Sequence, residues 1–147
     1  MIKNLVELTK VRIGFLVLTT TIIGFYLGAQ GSFSSSLLIY TILGTLFSST
    51  GGSILNNVIE IDSDKNMERT KRRVLPTKKI SFRFALTLGL FFAISGLSIL
   101  YFKVNTLTAT LSLSTILLYL FVYTPLKRVS WINTSIGAIP GAIPPLG

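Results

Sequence analysis

Four apolar runs, at residues 13–29, 37–59, 84–102 and 107–123, constrain this chain more than any other feature. Each has the length a helix needs to cross ~30 Å of hydrocarbon. In lipid the backbone must satisfy its own hydrogen bonds, so such runs read as α-helices. The first is interrupted only by Thr19, Thr20, Thr21, Gly24 and Gly28, which membrane helices tolerate. It sits where a signal peptide would, but no small-residue cleavage site ends it and further spans follow, so it reads as a retained helix. A fifth apolar segment begins at Trp131 and is broken by Gly137, Pro140, Gly141, Pro144 and Pro145. The expected fold is all-α: a polytopic membrane bundle with helices near 12–30, 37–60, 83–102 and 106–123, plus the start of a fifth, broken segment.

Composition agrees and narrows the chemistry. Half the residues are hydrophobic and the mean hydropathy is +0.68. There is no cysteine, which excludes disulfides and thiolate metal sites. There is no histidine, which removes the usual zinc or haem ligand and the usual neutral-pH general base. The net charge of +9 does not point to nucleic acid, because the cations lie in loops between apolar runs and are not interleaved with stacking aromatics. They follow the positive-inside rule instead. With a cytoplasmic N-terminus, only Lys103 of the fourteen basic residues falls outside. That topology puts residues 60–83 and the Lys127-Arg128 turn on the cytoplasmic side.

Residues 55–76 carry four of the five acidic residues, Glu60, Asp62, Asp64 and Glu68, and five basic ones, Lys65, Arg69, Lys71, Arg72 and Arg73. If the second helix continues into this stretch, Asn56, Glu60 and Asp64 share one face at i, i+4 and i+8. Asp62 then points away. One amide and two carboxylates suit a hard cation such as Mg²⁺, which is commonly held by one or two carboxylates plus phosphate and water. The guanidinium groups just beyond suit phosphate oxygens. Two readings stay open on the residues alone: a diphosphate site, or a solvated charged loop between membrane helices.

Several motifs resemble the UbiA superfamily of intramembrane prenyltransferases, and within it the haem-farnesylating branch. Leu8-Thr9-Lys10-Val11-Arg12 resembles that branch's L-T-K-P-R entry to the first span. Asn56-x-x-x-Glu60-x-x-x-Asp64 resembles its first metal motif. Residues 67–76, MERTKRRVLP, resemble M-x-R-T-x-x-R-P-L-P. Tyr123-Thr124-Pro125-Leu126-Lys127-Arg128 and the Gly137–Gly147 stretch resemble Y-T-x-x-K-R and G-x-x-x-G-A-x-P-P-L-G. Val11 and Val74 depart from the pattern, standing where proline is usual.

The resemblance implies a fold of about nine helices in two halves, of which residues 1–147 form one domain cut after the N-terminal half. It implies transfer of farnesyl from farnesyl diphosphate to a vinyl group of haem B, giving haem O and pyrophosphate, in the inner (plasma) membrane. It assigns Mg²⁺ to Asn56, Glu60 and Asp64, and diphosphate to Arg69, Arg72, Lys127 and Tyr123. Arg12, Lys71, Arg73 and Arg128 are secondary candidates, equally explained by topology or lipid contact. The expected partners are the lipid bilayer, the two substrates, a complementary C-terminal half and terminal-oxidase assembly factors, with no nucleic acid. After Glu68 no Asp or Glu follows, so the isolated chain is expected to be inactive. The alternatives are a UbiA-type enzyme acting on an aromatic quinone precursor, and a non-catalytic membrane subunit or transport protein whose carboxylates line an ion path.

Overall fold

A computed structural model describes residues 2–29, 34–126, 142, 143 and 145. The elements are α1 (Ile2–Thr9), α2 (Val11–Gly28), α3 (Ser35–Ile59), α4 (Ile61–Asn66), α5 (Phe82–Ile99), α6 (Thr106–Leu117) and α7 (Thr124–Leu126). Wide π-helical turns extend α5 through Leu100–Val104 and α6 through Leu118–Tyr123. Among the described residues no strand occurs. Four helices are long and apolar enough to cross a membrane: Val11–Gly28, Ser35–Ile59, Phe82–Val104 and Thr106–Tyr123. Their ends fall within two residues of the sequence expectation. The protein is a multi-pass membrane protein.

The caps explain the boundaries. The Ser34 hydroxyl accepts from the Leu37 N–H, the Ser81 hydroxyl from Phe84, and the Asn105 amide oxygen from Thr108 at 2.7 Å. Each satisfies a backbone donor that a helix start leaves unpaired. Lys10 adopts a left-handed conformation, φ 49°, which breaks the helical path between α1 and α2.

Helix α3 is the centre of the bundle, and α5 packs closest to it. The contact is built on small residues at matching spacing: Gly44, Ser48 and Gly51 on α3, Gly89, Ala93 and Gly96 on α5. A Cβ at Gly51 would meet the backbone of Ala93, and one at Gly96 would meet the backbone of Ser48. Small residues permit such backbone approach where lipid supplies no hydrophobic drive between helices. Phe47 and Phe92 flank the seam edge to face, 5.3 Å between centroids. A Ser48–Ser112 hydroxyl contact of 2.8 Å ties α6 to α3. Helix α2 lies outermost, with only Thr21 buried among its residues.

Chain direction sorts the charges. The end of α3, the starts of α2 and α5, the end of α6, and α1 meet at one end of the bundle. At the other end Lys103 stands 5.9 Å over the Tyr40 ring. At the charged end, Leu8, Ile54, Val58, Leu75 and Ala85 form a buried apolar cluster. That cluster joins α1, α3, α5 and the loop after α4 beneath the candidate site.

Candidate functional site

The helix carrying the acidic motif nearly continues past α3. The Glu60 N–H donates to the Asn56 carbonyl at 2.9 Å, and the Asp64 N–H to the Glu60 carbonyl at 2.8 Å. Asn56, Glu60 and Asp64 therefore stay on one face across the α3–α4 junction, and all three are buried, the two carboxylates 4% exposed. Asp62 faces outward, its side chain 88% exposed and paired with Lys65 at 3.0 Å.

The loop after α4 folds back over this face. Consecutive turns carry it, with the Thr70 N–H on the Met67 carbonyl and the Arg73 N–H on the Thr70 carbonyl, each at 3.0 Å. The buried Thr70 hydroxyl donates to the Asp64 carbonyl at 3.2 Å. The Val74 N–H donates to Glu7 Oε1 at 3.2 Å. Proline at position 74 would have no N–H to give, so this departure from the usual motif is used here to tie α1 to the loop. Leu75 plugs into the apolar cluster below. The stretch is thus folded back at Thr70, Val74 and Leu75, while Lys65, Glu68, Arg69, Lys71 and Arg72 stay exposed.

Folding back delivers one guanidinium. Arg73 donates from one terminal nitrogen to Asp64 Oδ2 at 2.8 Å, and the same nitrogen lies 3.5 Å from Glu60 Oε2. Arg69 and Arg72, expected ahead of Arg73 as diphosphate ligands, are both exposed and, among the described residues, neither has an ion-pair partner. Lys71 pairs outward with Glu68 at 2.6 Å. The side chain of Tyr123 stacks on Tyr119, 5.5 Å between centroids and 13° between planes. Lys127 and Arg128, and most of the fifth apolar segment, lie outside the described residues.

Asn56 is oriented differently from a simple ligand. Its amide nitrogen donates to Glu60 Oε2 at 2.9 Å, and its amide oxygen accepts from the Thr124 hydroxyl at 2.6 Å. Thr124 escaped the sequence reading of roles, although it stands inside the Y-T-x-x-K-R motif; nothing local in sequence says that it meets a residue 68 positions away. Asn57 turns instead to α1, donating to the Leu8 carbonyl at 2.8 Å, and its amide oxygen is buried without a partner. A cavity of about 140 Å³ opens beside Asn57, Asp64 and Arg73, walled by Glu7, Lys10 and residues 74–76.

The donor set fits a divalent cation. Two buried carboxylates converge on one point, and a positive group, the Arg73 guanidinium, already stands there. Among the described residues no group of three or more His, Cys, Asp or Glu is assembled, so such an ion would draw its remaining ligands from water or substrate oxygens.

Comparison with known proteins bears on the family and the fold. The profile described as the UbiA prenyltransferase family matches residues 17–147. The chain is 39% identical over 153 residues to the protoheme IX farnesyltransferase of Solibacter usitatus (strain Ellin6076), covering 98% of this chain and 52% of that protein. It is 44% identical over 141 residues to that of Leptospira biflexa serovar Patoc, covering 95% and 50%. It is 42% identical over 142 residues to the mitochondrial protoheme IX farnesyltransferase of Homo sapiens, covering 97% and 32%. The chain thus spans about half the length of the bacterial relatives, and less of the human one. A solved structure from work on digeranylgeranylglyceryl phosphate synthase in membranes superposes with a TM-score of 0.74 at 19% identity, over 97% of this chain and 53% of that one. At that identity the likeness speaks for the fold alone.

Proposed function

Since the chain belongs to the UbiA prenyltransferase family, we propose that it serves farnesyl transfer from farnesyl diphosphate to a vinyl group of haem B, giving haem O and pyrophosphate. The observation that carries the reading is the buried Glu60–Arg73–Asp64 cluster at the charged end of the bundle, in a chain whose relatives are named protoheme IX farnesyltransferase. Glu60 and Asp64 would hold a Mg²⁺ ion, which when bound supplies positive charge against the departing diphosphate. Arg73, now on the carboxylates, would turn to phosphate oxygens, and Arg69 and Arg72, exposed on the same loop, would contact diphosphate as well. Lys127 and Tyr123 belong to the same proposal. The apolar helix faces exclude water from the allylic carbocation left after ionisation. The proposed setting is the inner (plasma) membrane with the charged end cytoplasmic; impermeant thiol reagent reaching a cysteine at position 71 from outside would refute that orientation.

A chimera tests the function. This chain replaces the matching half of the Leptospira biflexa relative, and membranes are assayed for haem O from haem B and farnesyl diphosphate. The expected result is haem O formation dependent on Mg²⁺. A chimera that accumulates in the membrane but forms none, while the intact relative does, would overturn the proposal.

A further inference from the structure

The contact between Asn56 and Thr124 joins the acidic motif to the start of α7, just past the π-helical extension of α6, and its protons can be assigned one by one. Glu60 as a carboxylate only accepts, so the group facing its Oε2 at 2.9 Å must be the Asn56 NH₂. The Asn56 oxygen then faces Thr124 Oγ1 at 2.6 Å and needs a donor. The Thr124 hydroxyl has a second acceptor in reach, the Tyr119 carbonyl at 2.7 Å. That carbonyl already accepts the backbone N–H of Thr124 through the π-helical turn at Leu118–Tyr123. The Tyr119 carbonyl keeps that donor when the hydroxyl turns to Asn56, whose amide oxygen has no other donor among the described residues. Turns of this kind are often found at functional sites. The opposite amide orientation would set the Asn56 oxygen against a carboxylate oxygen. Thr124 is 1% exposed and Asn56 2%, so water does not compete for either group.

We infer that Thr124 is a positioning residue: it fixes the Asn56 amide with its nitrogen on Glu60, so that Asn56 orients the carboxylate and the cation is held by Glu60 and Asp64. This rests on the reading of those two carboxylates as a cation site. A ligating carboxylate is commonly held by such a hydrogen bond behind it, and losing one commonly costs about 10–100-fold in metal affinity.

The test is a Mn²⁺ titration, read by electron paramagnetic resonance, of the purified chain in lipid nanodiscs. Wild type, Thr124→Ser, Thr124→Val and Glu60→Gln are compared, each with its thermal unfolding curve. Thr124→Ser keeps the hydroxyl and is expected to match wild type. Thr124→Val keeps the shape and is expected to bind Mn²⁺ about 10–100-fold more weakly, measured on folded protein below an unfolding midpoint that falls because the buried Asn56 oxygen loses its donor. Equal affinity in Thr124→Val and wild type overturns the inference. If Thr124→Val does not fold, Thr124→Ala against Thr124→Ser makes the same comparison, and equal affinities there overturn it. The underlying cation reading fails separately: Glu60→Gln would then bind Mn²⁺ as wild type does, or wild type would not bind it, and either result removes both.

Discussion

Two pairs of carboxylates share nine residues of chain and have opposite surroundings. Glu60 and Asp64 are buried and face one guanidinium, whereas Asp62 and Glu68 are exposed and pair with Lys65 and Lys71 at i, i+3. Residue type and local charge density are the same for both. What separates them is helical phase for Asp62 and the return of the loop for Glu68. Burial makes a charge costly unless it is paired, and so makes its partner consequential. Exposed ion pairs contribute little. The contrast is the ground on which the buried pair, and not the exposed one, is proposed as the site.

The largest stability effect should come from emptying the centre of the buried pair. Arg73→Met leaves two carboxylates buried without their cation and is expected to cost about 3–5 kcal/mol. It should also bind Mn²⁺ more tightly than wild type, because the competing guanidinium is gone. Unfolding in detergent with and without Mn²⁺ reads both; a variant as stable as wild type without metal would break the comparison.

Glu7, the fifth carboxylate, sharpens it. It accepts the Val74 N–H from across the loop. Glu7→Ala should cost about 1 kcal/mol, the usual net worth of such a bond, and proteolysis between residues 67 and 79 should quicken. Unchanged protease resistance would show that the loop is held without α1.

The smallest effect belongs to Glu68→Gln, which removes an exposed partner of Lys71. Its unfolding midpoint and Mn²⁺ affinity should match wild type. A loss of affinity there would mean that the outward pair contributes to the cation site.

Much of this was legible in the sequence, for reasons the residues supply. The expected span 106–123 coincides with Thr106–Tyr123, and 12–30 with Val11–Gly28 to within two residues, because apolar length and capping residues are local signals. The shared face of Asn56, Glu60 and Asp64 followed from helical periodicity, which survived the α3–α4 junction. The choice of Arg73 over Arg69 and Arg72 was not legible. It depends on two turns after Met67 and on Thr70, Val74 and Leu75 finding partners elsewhere. The Asn56–Thr124 bond was not legible either, since it arises where two spans meet and a π-helical turn shifts the register of the last residues of α6.

On the proposed function Asp64 belongs to the working site and Asp62 does not. It is tested most directly by haem O formation in the chimera carrying Asp64→Asn or Asp62→Asn, each normalised to folded protein in the membrane. Asp64→Asn is expected to abolish turnover and Asp62→Asn to retain most of it. Loss of activity in Asp62→Asn as complete as in Asp64→Asn would contradict it.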